Sequence, residues 1–296
     1  VSTSVRALAH AKINLFLRVL AREDDGYHSL ETLFCLISLT DELYAERTEL
    51  DGVRLEVTGA DCGPVGDNLA ARAAQMVLDA TGRPFGVRLR LIKQIPVQAG
   101  LGGGSSDAAA ALSAVNRLAG DAIPRHELLQ MGARLGSDIP FFLSGAPLAL
   151  AWGHGDRLLR LPPLPASPAL LVIPAIGIST PEAYRQIDRT RTGGGRRGAV
   201  ALDLEALGSW GDVARLAGND FEFALFGPHP ELKTGFEALA GTRPLLCRMS
   251  GSGSALMAVY RSGRDRDDAV MTLGSRHGRV VPVETLDVPP PAPALL

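Results

Sequence analysis

Gly100 to Asp107 reads GLGGGSSD and runs directly into an alanine-rich stretch that ends near Ala119. This string limits the fold more than any other. Glycine takes positive φ and lets a ligand come close to the backbone, so four glycines in five positions cannot lie inside a strand. The alanine-rich run is helical. The first N–H groups of a helix have no internal partner, and the helix dipole adds partial positive charge there. With the hydroxyls of Ser105 and Ser106, loop and helix start make an anion cradle, best suited to phosphate. Val87, Leu89 and Leu91 alternate just upstream, so the predicted order is strand, loop, helix.

Two common phosphate loops do not fit. No lysine follows the glycines, as GxxxxGK[ST] requires, and Ser105 stands where GxGxxG needs its third glycine. A plain turn that lets a helix pack on a strand is the competing reading. A second cluster, MSGSGS at Met249 to Ser254, precedes the apolar run ALMAVY. It too allows close backbone approach, though a tight turn into a strand explains it equally well.

The residues able to do chemistry lie elsewhere. In AHAKINLFLRV, Ala9 to Val19, Lys12 and Asn14 interrupt an apolar stretch. On a strand both point to one face, with Ile13 and Leu15 on the other. In GSDIPFF, Gly136 to Phe142, Asp138 precedes a proline and two phenylalanines. Asp138 suits a helix N-cap. It also suits a general base, and phosphoryl transfer to an alcohol asks for little more than positioning, charge neutralisation and a proton acceptor. Spacing alone does not show that Lys12 and Asp138 meet.

Charge and composition narrow the class. The chain has 296 residues and a net charge of −2, without the basic excess of a nucleic-acid binder. No apolar run reaches the ~18–20 residues that span a bilayer, and Val1 to His10 has no secretory core. Cys35, Cys62 and Cys247 form no CxxC. A disulfide framework or zinc site is not expected, and a cytoplasmic setting is.

Val53, Leu55 and Val57 alternate as a further strand, and Leu69 to Leu78 has helical spacing. The proline-rich LPPLPASP, 161–168, reads as an interdomain crossing. Strand-like runs follow at Ala169 to Ile173 and Ala255 to Tyr260. The expected division is residues 1–163, residues 164–287 and a tail, 288–296, that is extended or disordered. RTRTGGGRRG, 189–198, reads as a mobile surface loop, or more sharply as a phosphate-facing one.

Four segments together resemble the GHMP small-molecule kinases, in family order: AKINLFLRV with GYHSLETLF, PVQAGLGGGSSDAAAAL, GSDIPFFL and MSGSGS. The resemblance runs from about Ala9 to about Tyr260. Lys12, Asn14, Gly26, Tyr27 and His28 narrow it to the branch acting on a cytidine-diphosphate-linked alcohol in a route to isoprenoids. It implies an α+β fold of two domains, an N-terminal ATP-binding α+β domain and a C-terminal ferredoxin-like α+β domain, with the site between them. It implies ATP-dependent phosphorylation of a 2-hydroxyl, with Lys12 and Asp138 catalytic. Gly100, Leu101, Gly102, Gly103, Gly104, Ser105 and Ser106 would wrap the ATP phosphates. Asn68, Lys93 and Pro96 fall on the nucleotide side. Asn14, Tyr27, His28, Thr180 and Tyr184 fall on the substrate side, and Gly251, Ser252 and Gly253 form a supporting turn. Mg2+ would come as the ATP counter-ion, with no protein ligand. Asp107 receives no role. Another GHMP kinase, acting on a mevalonate-type, homoserine or sugar substrate, and a non-catalytic nucleotide sensor of the same fold are the alternatives.

Overall fold

A computed structural model describes residues 3–24, 26–82, 85–190 and 202–296. Most of the 189–198 loop, from residue 191 on, lies outside the described residues.

The first half is built on two long strands, β1 (Ser4–Arg22) and β2 (His28–Thr48). They are followed by β3 (Val53–Thr58), α1 (Leu69–Ala80), β4 (Gly86–Ile92), α2 (Gly103–Leu118), α3 (Arg125–Leu135), α4 (Ile139–Ser144), β5 (Leu148–Gly153) and β6 (Arg157–Arg160). The period-two runs at 53–57 and 87–91 are strands, as their alternation predicts, and the pair is parallel. β4 also pairs antiparallel with β2, and β5 joins the other stretch of β2. Helix α1 lays Ala70, Ala73, Ala74 and Val77 into a core shared with α2, β2 and β4. Small side chains let these helices lie close to each other and to the sheet.

Helix α2 begins at Gly103, earlier than the alanine pattern suggests, because Gly102 turns left-handed at φ 72° and starts the helix inside the glycine run.

The proline-rich crossing leads to β7 (Pro168–Ile173), α5 (Thr180–Thr190), α6 (Trp210–Leu216), α7 (Asp220–Leu225), α8 (Pro230–Ala240), β8 (Leu246–Met249), β9 (Leu256–Val259), α9 (Gly263–Leu273) and β10 (Arg279–Glu284). The sheet order β10-β7-β9-β8 is the 4-1-3-2 order of a ferredoxin-like unit, with all pairs antiparallel. The C-terminal tail is extended, but it is not a loose end. Its last turn forms β11 (Ala294–Leu295), which pairs with Val5 and Arg6 of β1.

β1 enters three apolar clusters. Val5, Ala7 and Ala9 join the first, Ala11, Ile13, Leu15 and Phe16 the second, and Leu17 and Val19 the third. The second cluster also takes Leu161 and Leu164 of the crossing and Ala169 and Leu171 of β7. Pairing between β1 and β2 shifts register between His10 and Lys12 and again between Asn14 and Phe16. Such irregularities re-aim side chains, and Lys12 to Asn14 lies between the two.

Candidate active site

A cleft of about 1600 Å³ opens between the two sheets. It is lined by every predicted site residue except one. Ser106 is the exception: it is only 2% exposed, and its N–H is bonded to the Gly102 carbonyl at 2.9 Å. Adjacent helical residues point about 100° apart, so Ser105 faces the cleft while Ser106 turns into the core.

Lys12 and Asp138 do meet. Lys12 Nζ is 3.6 Å from Asp138 Oδ2, and it donates to Asn14 Oδ1 at 2.7 Å and to the Gly100 carbonyl at 2.9 Å. Asp138 occupies the N-cap position of α4, as its sequence context predicts, but its side chain makes no capping bond. The carboxylate faces the lysine instead. Burial pulls Lys12 below the ordinary lysine value, against the opposing pull of Asp138. The Phe34 ring lies beneath the ammonium at 5.3 Å.

The two glycine turns close on Lys12 from either side. A β-carbon at Gly102 would sit 2.8 Å from Phe142 Cζ and 3.0 Å from Lys12 Cγ. One at Gly251, where φ is 56°, would sit 3.3 Å from Lys12 Nζ and 3.0 Å from the Gly100 carbonyl. Ser250 Oγ donates to that same carbonyl at 2.9 Å. The MSGSGS turn therefore holds the first glycine loop and the lysine together, and Thr180 Oγ1 meets Ser252 Oγ at 3.1 Å in the wall of the cleft. At Gly104 the situation is reversed, since nothing lies within 4 Å of the β-carbon position. That open space over the first turn of α2 fits a phosphate group.

Asn68 lines the cleft while capping α1, accepting from the Ala70 N–H at 2.9 Å. Lys93 lines it too, but its ammonium is bonded to Asp41 and, at 2.7 Å, to Asp107. Its charge is thus compensated by protein carboxylates. Burial lowers Lys93, but the two carboxylates carry it above the ordinary lysine value. Burial pushes the Asp107 carboxyl up to about 7, opposed by Lys93 and reinforced by Asp41. Asp41 also accepts the N–H groups of Gln94 and Ile95, the latter at 2.8 Å. The sequence reading missed Asp41 and Asp107. The inward alternation of Asp41, Leu43 and Ala45 on β2 is a signal for a buried, paired charge at Asp41.

Of the residues expected on the substrate side, His28 and Tyr184 stack at 4.8 Å and 17°. Tyr184 sets its face against the edge contact of Phe221 at 5.1 Å. His28 Nε2 meets Asp188 Oδ1 at 2.7 Å. Tyr27 is 66% exposed and stacks on His154 at 5.1 Å. Asp188, His154 and Phe221 come to the site from distant segments and carried no sequence signal. Asn14 is committed at both ends of its amide, to Lys12 and to Thr32.

Among the described residues, no three His, Cys, Asp or Glu side chains are grouped to hold a metal ion. No described helix is long and apolar enough to cross a membrane.

Residues 68–146 match the family model for the GHMP kinases N terminal domain. The 4-diphosphocytidyl-2-C-methyl-D-erythritol kinase of Solibacter usitatus is 42% identical over 274 residues, 91% of this chain and 85% of the relative. That of Moorella thermoacetica is 38% identical over 287 residues, 94% of this chain and 98% of the relative. A crystal structure of 4-(cytidine 5'-diphospho)-2C-methyl-D-erythritol kinase superposes with a TM-score of 0.79 at 37% identity, covering 95% of this chain and 98% of that one. A homoserine kinase from Cytophaga hutchinsonii, at 17% identity and a TM-score of 0.73, shares the fold.

Proposed function

Because the chain belongs to the 4-diphosphocytidyl-2-C-methyl-D-erythritol kinases of the GHMP family, we propose that Lys12 and Asp138 carry its chemistry. The enzyme transfers a phosphoryl group from ATP to the 2-hydroxyl of 4-diphosphocytidyl-2-C-methyl-D-erythritol, a step in the methylerythritol phosphate route to isoprenoids.

The observation that carries the residue assignment is the 3.6 Å approach of Lys12 Nζ to Asp138 Oδ2 beside the glycine loop. Asp138 takes the proton of the substrate hydroxyl as the oxygen attacks, and Lys12 keeps that carboxylate ionised beforehand. Lys12 also stabilises charge growing on the transferred group. Gly103, Gly104 and Ser105 offer backbone N–H groups and a hydroxyl to the phosphates, and the open space at Gly104 leaves room for them. The tight packing at Gly102 serves Lys12 instead. Mg2+, carried in by the triphosphate, would supply charge neutralisation between the phosphates.

His28, Tyr184 and Tyr27 gather at the other end of the cleft and form the cytidine side, supported by Thr180 and Asn14. Stacking and ring hydrogen bonds suit a nucleobase there. We place the division of the chain at 163/164, within the proline-rich crossing, so that residues 1–163 hold nucleotide and catalytic groups and residues 164–287 close the substrate side.

The experiment is product analysis by 31P NMR with ATP and the cytidine-diphosphate-linked alcohol. A new phosphomonoester and stoichiometric ADP are expected. Phosphorylation of homoserine or mevalonate, with none of the cytidine-linked alcohol, would refute the reading.

A further inference from the structure

Thr32 lies on β2, 1% exposed, within a chain of buried hydrogen bonds that ends at Lys12. Its Oγ1 is 2.6 Å from the Phe16 carbonyl and 2.7 Å from Asn14 Nδ2. A carbonyl oxygen only accepts, so the hydroxyl proton of Thr32 must point at Phe16. The hydroxyl oxygen then has only lone pairs to offer to Asn14. An acceptor there selects the amide nitrogen of Asn14 and turns its carbonyl oxygen the other way, onto Lys12 Nζ at 2.7 Å.

This fixed direction matters because the alternative is unfavourable. An amide rotated by half a turn would aim N–H donors at an ammonium that has only donors. Lys12 is 4% exposed, so water does not readily replace the lost acceptor. The ammonium would keep the Gly100 carbonyl and Asp138 alone. The irregularity between Asn14 and Phe16 belongs to the same device, since it is at Phe16 that the strand presents its carbonyl to Thr32.

We propose that Thr32 is a positioning residue for catalysis, which acts through Asn14 to orient the acceptor that holds the Lys12 ammonium toward Asp138. Thr32 lies in the wall of the cleft, but both polar contacts of its hydroxyl are to protein groups, the Phe16 carbonyl and the Asn14 amide. Its one polar link toward the cleft is the Asn14 amide. The inference rests on the assignment of Lys12 and Asp138 as the catalytic pair.

The test compares Thr32→Val, which keeps the shape and removes the hydroxyl, with Thr32→Ser, which keeps the hydroxyl. Thr32→Val is expected to lower kcat by about tenfold or more while KM for ATP changes by less than about twofold. The alkaline limb of kcat should move to lower pH, because the ammonium has lost an acceptor, and the charged group facing it, Asp138, is unchanged. Thr32→Ser should restore both. In an Asn14→Ala background, Thr32→Val should cost less than about twofold more, since the residue it acts through is gone.

A folded Thr32→Val enzyme with wild-type kcat and an unmoved alkaline limb overturns the proposal. So does a full tenfold effect that persists in the Asn14→Ala background. If Thr32→Val does not fold, Thr32→Ser decides: wild-type kcat and limb support the hydroxyl, and a tenfold loss in folded protein assigns the effect to the methyl group and overturns it. Full turnover by Asp138→Asn would instead remove the catalytic pair itself. A dead Asp138→Asn beside an unaffected Thr32→Val would remove the Thr32 link alone.

Discussion

Lys12 on β1 and Asp138 at the start of α4 face each other at 3.6 Å, although 126 positions of chain (138 − 12) separate them. The carboxylate sits where a helix cap belongs and makes no cap bond. The helix loses a stabilising contact there, and the cleft gains a carboxylate aligned with a buried ammonium. Asp138→Asn should lower kcat by about 10²–10⁴-fold, the usual range for a lost proton acceptor. The Kd for ATP, measured by calorimetry, should stay close to wild type. Lys12 must be charged to act, and burial holds it below the ordinary 10.5. A kcat profile should therefore fall on its alkaline side before that pH is reached.

Gly102 and Gly104 predict opposite outcomes from the same substitution. At Gly102 an alanine meets φ 72°, Phe142 and Lys12, so Gly102→Ala should cost about 1–2 kcal/mol in backbone strain alone. It should also depress kcat by displacing Lys12. At Gly104 the new methyl group meets nothing within 4 Å. Gly104→Ala should keep or raise Tm, because alanine is the better helix former by about 1 kcal/mol, while KM for ATP rises. Melting curves and steady-state kinetics on both variants separate the two roles.

The Asp41–Lys93–Asp107 cluster makes stability depend on pH. Burial raises Asp107 from 3.8 to about 7 and Glu222 from 4.5 to about 7. A carboxyl raised on folding stabilises fully below its unfolded value and loses that contribution as pH climbs through its folded value. Tm should thus fall as pH rises from about 4 to about 7. Asp107→Asn should lessen that fall, with Glu222 supplying the remainder. Lys93, raised above 10.5, contributes its own loss only on the alkaline side. Lys93→Ala strands two buried carboxylates and should cost about 3–5 kcal/mol by urea unfolding at neutral pH.

The ring pair at the far end of the cleft should govern the cytidine-linked substrate and leave ATP alone. Removing the face that His28 and Tyr184 share, by His28→Ala or Tyr184→Ala, should weaken that substrate by about 0.5–1.5 kcal/mol, or about two- to twelvefold in KM. Tyr184→Phe keeps the ring and should stay near wild type. Unchanged KM in both alanine variants would remove the pair from recognition.

Much of this site is legible in the residue string because it is local. The alternation at Val87, Leu89 and Leu91 gives β4, the glycine run gives the turn into α2, and strand geometry alone puts Lys12 and Asn14 on one face. What escapes is set by contacts between distant segments. The residue string gives Lys93 no partner, and it is β2 that brings Asp41 to it from 52 positions away. Ser106 looks equivalent to Ser105 until the helix phase is known. The direction of the Asn14 amide depends on Thr32 and on the Phe16 carbonyl, exposed to it by a shift of register that no pattern of residue types announces. The tail reads as loose from its prolines, and it is the free edge of β1 that gives its last residues a partner.

β1 is anchored in three apolar clusters, two of which also take strands of the second sheet. A strand packed into both halves resists a swing of one against the other. The backbone amides of residues 11–19 should be among the last to exchange with deuterium, whether or not nucleotide is bound.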